Sequence, residues 1–278
     1  MKAVMNAILY GIPELFFIEQ NIEMNYNGTI LHFNVNNKYD GNISGLWDEL
    51  NNEVNRIVEI IDKKETDYEK IERLNQYLCL RVKPSSSTAE KTADAYGALI
   101  LKSARCEGFS KAAKLILDRL GIENHIVIGE ACLDKRVPHA WIKAKVNDDY
   151  FNFDFSWNAS KTLHEIPSLE YLFLEDELIS IDHFTDYNYP VCNNPNEKYW
   201  VKNNCILNRR SDLSKMKIVS FKRSYFSIVK INWKISDYEY RYELLYWLEE
   251  NINPSSYGNS VDYIYNVKLD LVVFYFLN

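Results

Sequence analysis

Three residues that could act as a nucleophile, a base and an orienting acid follow one another in the central part of the chain. Cys106 opens the segment CEGFSKAAKLILDRLGI, His139 stands in PHAWIKAKV, and Asp154 stands in DDYFNFDFSW. Each lies at the start or in the middle of a predicted helix or strand. This order is typical of a Cys–His–Asp triad, in which a thiolate attacks an acyl group and the histidine moves the proton.

The predicted helix gives Cys106 an environment that suits a nucleophile. Unpaired backbone N–H groups and the positive end of the helix dipole stabilise a thiolate at a helix N-terminus. The N–H of Cys106 is also placed to donate to a developing oxyanion. His139, on a neighbouring strand, can act first as a base and then as an acid. Asp154, on the strand that follows, can hold the imidazole in the tautomer that the reaction needs.

Each of the three residues also has a purely structural interpretation. A single cysteine in a helix is usually a small apolar core residue, and a single histidine in a strand usually lies at the surface or is a satisfied core residue. Asp154 is harder to explain in this way, because a carboxylate between Phe153 and Phe155 is costly to bury unless another group pairs with it. In this order and context, the three residues together favour a site.

The hairpin between the two predicted strands decides whether His139 meets Asp154. With a turn centred on Asn147-Asp148-Asp149, His139 pairs near Trp157 and Asp154 pairs near Ile142. The two candidates are then close diagonal neighbours, unless a bulge shifts the register. The length of the turn is not fixed by the sequence, so the face on which each side chain lies stays open at this point.

Hydrophobic periodicity and capping signals predict the elements that position these residues. Glu69, three residues after Thr66, completes a capping box at a helix start, and Gly121 ends the helix that Cys106 opens. The predicted elements of this region are helices over 46–61, 66–82 and 106–120, a short helix or turn over 94–104, and strands over 125–131, 139–146 and 150–155.

The flanking segments give weaker signals. A helical start over 1–11 precedes strands between residues 23 and 35. After Trp157 we expect short helical turns over 169–174 and 177–181, a polar loop over 193–204, and strands over 219–235 and 261–276 with a helix over 239–251 between them. The chain is therefore predicted to be α+β and to have three parts. These are an N-terminal helical and strand segment over 1–65, a catalytic core over 66–185, and a mainly β region over 186–278. The last part is a candidate for a separate small domain.

Composition excludes several classes of function. The 278 residues are 47% hydrophobic and 26% charged, which is typical of a globular protein, and the net charge of −7 without a Lys/Arg cluster argues against nucleic acid as a partner. No run reaches the roughly 18 apolar residues of a membrane span. Gly11, Pro13 and Glu14 interrupt the apolar start, and no small-x-small cleavage site follows. This favours the cytoplasm for the chain as given, whereas an exported or cell-surface protein stays open if a signal was removed.

The cysteines argue against a disulfide framework and against a metal site. Their number is odd and none has C-x-x-C spacing. A calcium loop of the D-x-D-x-D-G type is absent from the sequence, so no metal or other cofactor is predicted. Cys192 and Cys205 flank an Asn-rich loop and could pair in an exported protein. The five cysteines are Cys79, Cys106, Cys132, Cys192 and Cys205.

The blocks around the three candidates resemble the transglutaminase-like superfamily, whose members are papain-fold proteins. The first block is AYGALILKSARCEGFSKAAKLILDRLGI, the second is PHAWI, and the third is DFSW. The preceding segment DYEKIERLNQYLCLRV is similar to the lead-in helix of the family, so the likeness covers roughly residues 66–160. It implies a transglutaminase-core fold, in which the nucleophile helix packs on an antiparallel sheet.

The resemblance also implies roles for individual residues. Cys106 is the implied nucleophile, His139 the general base and Asp154 its orienting partner. Tyr96 is a candidate for the second oxyanion donor, although a packed aromatic is the commoner role for such a residue. The walls of the site are expected to include two tryptophans, Trp141 and Trp157.

Two positions depart from the pattern of the family. Phe155 stands where members often have proline, and Asn158 stands where they often have an acidic residue. These changes alter a turn and leave the three candidate residues in place.

Two classes of function are consistent with these residues. The leading hypothesis is a cysteine-dependent acyl-transfer enzyme that acts on peptide or protein amides through a thioester, as a peptidase or amidase with water and as a transglutaminase with an amine. The sequence does not choose between them, because groove shape and water access decide the acceptor. The alternative is a non-catalytic peptide- or glycan-binding protein on the same fold. A third interpretation, a maturation protease for a small peptide, needs a partner that the sequence does not reveal.

Overall fold

In the computed structural model, the described residues are 8–19, 23–26, 31–34, 36–64, 66–132, 134–222, 224–232, 246, 248 and 256–277. The helices are α1 (Ile43–Ile61), α2 (Asp67–Arg81), α3 (Ala95–Leu99), α4 (Cys106–Arg119), α5 (Phe155–Ser160), α6 (Asp176–Ile179) and α7 (Tyr199–Lys202). The strands are β1 (Glu23–Tyr26), β2 (Leu31–Asn34), β3 (Lys83–Pro84), β4 (Ser103–Ala104), β5 (Asn124–Cys132), β6 (Arg136–Val146), β7 (Asp149–Phe153), β8 (His183–Phe184), β9 (Ile206–Leu207), β10 (Val219–Phe221), β11 (Ser224–Ile231), β12 (Ser260–Asn266) and β13 (Leu271–Leu277).

The central sheet is antiparallel and has the strand order β7-β6-β5-β8. Helix α4 packs against β5 and β6 and buries Phe109, Ala112 and Ile116. These residues recur at the three- and four-residue spacing that places side chains on one face of a helix. The predicted α+β class is confirmed, as is a helix that begins at Cys106 and lies on an antiparallel sheet.

Local signals placed several helix ends correctly. The Thr66 side chain accepts from the Glu69 N–H and the Glu69 carboxylate accepts from the Thr66 N–H, so the capping box of α2 is present as predicted. Gly121 follows α4 in the left-handed region, with φ of 73°, where a residue without Cβ is favoured. Helix α1 begins at Ile43, three residues before the predicted start.

The N-terminal segment is joined to the core through Asp94. This buried carboxylate caps α3 by accepting from the Gly97 N–H at 2.7 Å, and it pairs with Lys38 at 2.8 Å. A Cβ on Gly97 would overlap the carbonyl oxygen of Lys91. The glycine of the AYGAL block is therefore required by the close approach of two backbone segments. The predicted N-terminal strands are confirmed as β1 and β2, which pair antiparallel. Residues 8–11 are helical, and the rest of the predicted helical start, residues 1–7, lies outside the described residues.

The C-terminal part contains a second sheet with the order β10-β11-β13-β12, to which β9 adds in parallel beside β11. The strands predicted over 219–235 and 261–276 are confirmed, each with narrower bounds or a break. The helix predicted over 239–251 lies outside the described residues, apart from Tyr246 and Leu248, which are helical. The division into parts at 65/66 and 185/186 stays a prediction.

Two expectations after Trp157 were wrong. Residues 169–174 are not helical, because they form turns that end in a bridge between Leu174 and Asn152 of β7. The segment 193–204 is not only a polar loop, because it contains α7, which buries Tyr199 and Trp200. Among the helices that the structure describes, none has the length and apolar character needed to cross a membrane.

Candidate active site

Cys106 is the first residue of α4, and its side chain is partly exposed. The N–H of Phe109 donates to the Arg105 carbonyl, and this is the first helical bond of the backbone. The N–H of Cys106 consequently has no acceptor within the helix, as expected for the first turn. A Cβ on Gly108 would lie 2.6 Å from the Thr92 carbonyl oxygen. The glycine of CEGF thus allows the start of α4 to lie against the segment before it.

His139 lies on β6, directly across from Gly129 of β5. Its ring is buried between two tryptophans. The ring centroid of His139 is 6.3 Å from that of Trp141 and 5.5 Å from that of Trp157. Both residues that the sequence suggested as walls therefore contact the histidine. The Trp141 indole N–H donates to Asn152, which fixes the plane of that wall.

Asp154 is the N-cap of α5 and not, as predicted, a strand residue. Strand β7 ends at Phe153, and the segment FSWNAS turns into a helix. One carboxylate oxygen, Oδ1, accepts from the Ser156 N–H at 2.9 Å, the Trp157 N–H at 3.0 Å and the Ser156 hydroxyl at 2.7 Å. The other oxygen, Oδ2, lies 2.7 Å from His139 Nε2. Capping of α5 therefore aims this carboxylate at the histidine.

The hairpin that joins β6 to β7 is tighter than predicted. Val146 pairs with Asp149, so the turn has two residues, and Asn147 takes the left-handed conformation with φ of 56°. Ile142 pairs with Phe153, which brings Asp154 next to Trp141 instead of Ile142. His139 and Trp141 are two residues apart and lie on one face of the strand. The shorter turn therefore settles the question that the sequence left open, and the two candidate side chains meet.

The thiol of Cys106 lies close enough to His139 to contribute to the raised pKa of the ring. Because Nε2 is bound to Asp154, the nitrogen that remains for the thiol is Nδ1. Burial of His139 disfavours its charged form, but the charge of Asp154 and its hydrogen bond outweigh this effect and raise the pKa of His139. The structure thus brings together the three residues that the sequence singled out.

A second histidine, which the sequence analysis missed, also contacts Asp154. His183 Nε2 lies 3.0 Å from Asp154 Oδ2, and His183 Nδ1 lies 2.6 Å from Asp182 Oδ1. Asp182 accepts in turn from the Tyr171 hydroxyl at 2.8 Å. The only sequence signal was the adjacent pair Asp182-His183. His183 begins β8, a strand of two residues that tertiary packing places beside β5.

The electrostatics of this cluster favour charged forms in spite of burial. Burial alone would raise the pKa of Asp154, but the charge of His139 and the hydrogen bonds from both histidines hold it well below its usual range. Burial lowers the pKa of His183, and the hydrogen bonds to Asp154 and Asp182 outweigh this and raise it. The cluster is therefore a set of mutually stabilising charges.

The donor atoms of His139, Asp154 and His183 lie within 4.8 Å of one another, a spacing that a metal ion could use. The hydrogen bonds within the cluster already use these donor atoms: Asp154 Oδ2 faces Nε2 of both rings, and Nδ1 of His183 faces Asp182. The arrangement is explained by hydrogen bonds among the side chains themselves.

The hydroxyl of Tyr96 forms its hydrogen bond outside this cluster. That hydroxyl donates to Glu49 of α1 at 2.5 Å, and the ring stacks on Phe16 with centroids 5.3 Å apart. Desolvation and the bond to Glu49 raise the pKa of Tyr96 to about 12. The hydroxyl is used in packing α3 against α1, which leaves the proposed second oxyanion donor without geometric support.

A cavity of about 360 Å³ lies between Tyr10, Lys114 of α4 and strand β5. Tyr10 lines it, and the Tyr10 hydroxyl donates to Glu107, the residue after Cys106, at 2.5 Å. Ile126 and Ile128 of β5 and Tyr189 provide apolar walls on the other side. Such a concave, mainly apolar space with a few polar groups is typical of ligand sites.

All five cysteines are free thiols, including the candidate pair Cys192 and Cys205. Cys106 and Cys132 are partly exposed, whereas the other three are buried. Burial raises the pKa of Cys79 to about 12. Among the five, Cys106 combines exposure with a histidine partner.

Comparisons with known proteins agree with the motifs. Residues 55–155 match the model of the transglutaminase-like superfamily. The chain is similar to a solved structure of a TGase, with 14% identity and a TM-score of 0.37 over 53% of this chain and 47% of the other. It is also similar to a protein of Cytophaga hutchinsonii described as a proposed cysteine protease, with 18% identity and a TM-score of 0.35 over 43% of each chain. The chain thus spans less than half the length of each of these two structures, and no curated protein matches its sequence. The part of the chain that matches this family model contains Cys106, His139 and Asp154.

Proposed function

We propose that this protein is a cysteine-dependent acyl-transfer enzyme that acts on peptide or protein amides, with Cys106 as the nucleophile, His139 as the general base and Asp154 as its orienting partner. One observation carries the proposal. His139 Nε2 lies 2.7 Å from Oδ2 of the buried Asp154 carboxylate, and the partly exposed thiol of Cys106, at a helix N-terminus, is near enough to affect the pKa of the same ring. A nucleophile, a base and an orienting group in series are what acyl transfer requires.

The first half-reaction forms a thioester. His139 takes the proton of Cys106, and the thiolate attacks the carbonyl carbon of the amide, which forms the C–S bond. The N–H of Cys106, which has no helical acceptor, donates to the oxyanion of the tetrahedral intermediate. His139 then gives its proton to the leaving nitrogen, and the C–N bond breaks.

The second half-reaction releases the acyl group. Water or an amine attacks the thioester carbon while His139 takes a proton from the attacking atom, and the C–S bond breaks to regenerate the thiolate. The cavity is connected to the start of α4 through Tyr10, which lines it and donates to Glu107, and an extended substrate could lie there. Its mainly apolar walls favour a peptide side chain over a sugar, and this supports a protein or peptide as the substrate.

The test begins with the thiol, because it needs no substrate. Cys106 should react with iodoacetamide at pH 6 much faster than Cys132, which is also partly exposed, as measured by site-resolved peptide mass spectrometry. The His139→Gln variant should lose this difference, with the buried Cys79 as a control for unfolding. Equal reactivity of Cys106 and Cys132 in the wild type would contradict an assembled nucleophile.

The reaction class is tested next with β-casein, in the presence and absence of fluorescent cadaverine. Incorporation of the amine indicates transglutaminase activity, whereas new peptide termini indicate hydrolysis, and Cys106→Ala should abolish either. The alternative, a peptide- or glycan-binding protein on the same fold, predicts that Cys106→Ala binds the same ligands and that intact mass never shows an acyl adduct. A thioester adduct on Cys106 would exclude it.

A further inference from the structure

The two nitrogens of His183 both face carboxylate oxygens. Nδ1 lies 2.6 Å from Asp182 Oδ1 and Nε2 lies 3.0 Å from Asp154 Oδ2. An ionised carboxylate only accepts hydrogen bonds, so a ring between two of them satisfies both contacts only when each nitrogen carries a proton. All three side chains are buried, with 3% exposure for His183 and 0% and 1% for the two aspartates.

The other groups that contact the two carboxylates are hydrogen-bond donors as well. Asp182 accepts from the Tyr171 hydroxyl. Asp154 accepts from two backbone N–H groups and the Ser156 hydroxyl through the oxygen that does not face the histidines. Such donors stabilise an ionised carboxylate. A neutral His183 would turn one lone pair towards a carboxylate oxygen, and that contact would be repulsive unless the carboxylate were protonated.

We propose that His183 is a permanently charged imidazolium that shares the Asp154 carboxylate with His139, and that it acts as a positioning residue for the catalytic pair. The inference rests on the function proposed above for His139 and Asp154, which it deepens. Because one oxygen of Asp154 serves both rings, the charge of His183 fixes the direction of that oxygen. It also offsets part of the negative charge that His139 experiences.

The charges that face His183 come from each element around it. His139 of β6 has its ring centroid 5.3 Å away, and Cys106 lies beyond that ring. Asp154 at the start of α5, Asp182, and Tyr171, whose centroid is 5.6 Å away, complete the set.

The remaining surfaces of the ring are covered by indoles. The centroid of Trp157 lies 4.5 Å and that of Trp141 lies 5.0 Å from that of His183. In this dry setting, the loss of one charge changes the proton affinity of its neighbours more than it would in water.

The charge state can be read directly by long-range ¹H–¹⁵N spectra of the imidazole rings in the full-length chain. The sequence has five histidines. The His183 signal is assigned from His183→Gln or, if that variant does not fold, by elimination with single glutamine variants of the other four. We expect two protonated nitrogens on His183 from pH 5 to pH 9. An unprotonated nitrogen on this ring at pH 7 would overturn the inference.

A second variant tests the source of the charge. Asp182→Asn keeps a hydrogen-bond acceptor for Nδ1 but removes the negative charge, and burial then disfavours the imidazolium. His183 should become neutral within the pH range of the measurement. A ring that stays doubly protonated in Asp182→Asn would show that Asp182 does not maintain the charge, and would overturn that part of the assignment.

The effect on His139 separates a positioning role from a merely structural one. In the Cys106→Ala background, which removes the thiol near His139, His183→Gln keeps a donor to Asp154 but removes the positive charge. The titration midpoint of His139 should rise by roughly one to two pH units, as expected for a charge about 5 Å away. An unchanged midpoint in a folded variant would overturn the sharing of Asp154.

These outcomes are independent of turnover. A charged His183 in a protein that never acylates Cys106 would refute the proposed function alone. An active enzyme with a neutral His183 would refute this inference alone.

Discussion

Gly129 of β5 lies so close to Phe184 of β8 that a Cβ on the glycine would overlap the Phe184 carbonyl oxygen. The same Cβ would lie 3.0 Å from the ring of Trp141. Glycine at this point lets a strand of only two residues approach the sheet edge, and the first residue of that strand is His183. The position of the second histidine therefore depends on a missing side chain one strand away.

Gly129→Ala should displace β8 and with it His183. Overpacking of this kind costs about 1–3 kcal/mol in the free energy of unfolding, and turnover of casein should fall as well. Urea unfolding and kcat/KM measure the two effects. Gly11→Ala is the matched control for the free energy of unfolding, because a Cβ on Gly11 meets no atom within 4 Å. Equal stability of the two variants would contradict the close approach of β8.

Asp154→Asn should separate the charge of the orienting group from its capping role. Asparagine caps helices about as well as aspartate, so α5 should persist, as judged by far-UV circular dichroism. The neutral amide no longer stabilises a charged His139, and we expect kcat to fall by roughly 10³- to 10⁴-fold, as for the corresponding change in a serine triad. Ser156→Ala removes one neutral hydrogen bond to the same carboxylate and is the milder control. A similar loss in both variants would argue against a charge effect.

Stability should depend on pH through His139. Its folded pKa is raised from 6.5 to about 10 by Asp154 against the effect of burial. The stabilisation of the folded state by the His139 proton is therefore complete below pH 6.5. It is lost as pH rises towards 10, because only the folded state keeps this proton in that range. The free energy of unfolding should fall by about 1.4 kcal/mol per pH unit for this proton. Denaturant titrations of wild type and His139→Gln measure the slope, which should be smaller in the variant. Parallel curves would contradict the raised pKa.

Local signals in the sequence predicted the elements better than the contacts between them. Some signals depend only on neighbours in the chain, and these were found where expected. They are the capping box at Thr66, Gly121 after α4 and the motif blocks. The strand register depended on one turn residue, Asn147, whose left-handed conformation shortens the hairpin and decides which side chains share a face. The capping role of Asp154 was missed because a strand pattern runs directly up to it.

Tertiary contacts explain what the sequence did not predict. His183 is part of the cluster only because β8 pairs with β5 across Gly129, and no periodic pattern marks a strand of two residues. Asn158, which departs from the family pattern, is buried and donates to Asn75 of α2 at 3.0 Å. That partner lies 83 residues away, so no local pattern indicates a polar pair there.

Tyr96→Phe should leave kcat within about twofold of wild type, because the hydrogen bond that it removes lies outside the site. Loss of a bond to a carboxylate should instead cost about 1.5–3 kcal/mol of stability. The hydroxyl is held by Glu49 of α1, so the variant should lower only the melting temperature. Thermal unfolding and casein turnover distinguish the two effects. A loss of 100-fold or more in kcat in a folded variant would restore Tyr96 as an oxyanion donor.

Tyr10→Ala should weaken substrate binding more than it slows the chemistry. The ring of Tyr10 lines the cavity beside α4, and its hydroxyl donates to Glu107 next to the nucleophile. Loss of an aromatic wall costs about 1 kcal/mol, or roughly fivefold in KM, while kcat should change less. Tyr10→Phe keeps the wall and removes the bond to Glu107, so it shows whether the ring or the hydroxyl matters. If Tyr10→Ala lowered kcat without a change in KM, the cavity would not be the site where the substrate binds, and Tyr10 would act on Cys106 through Glu107 instead.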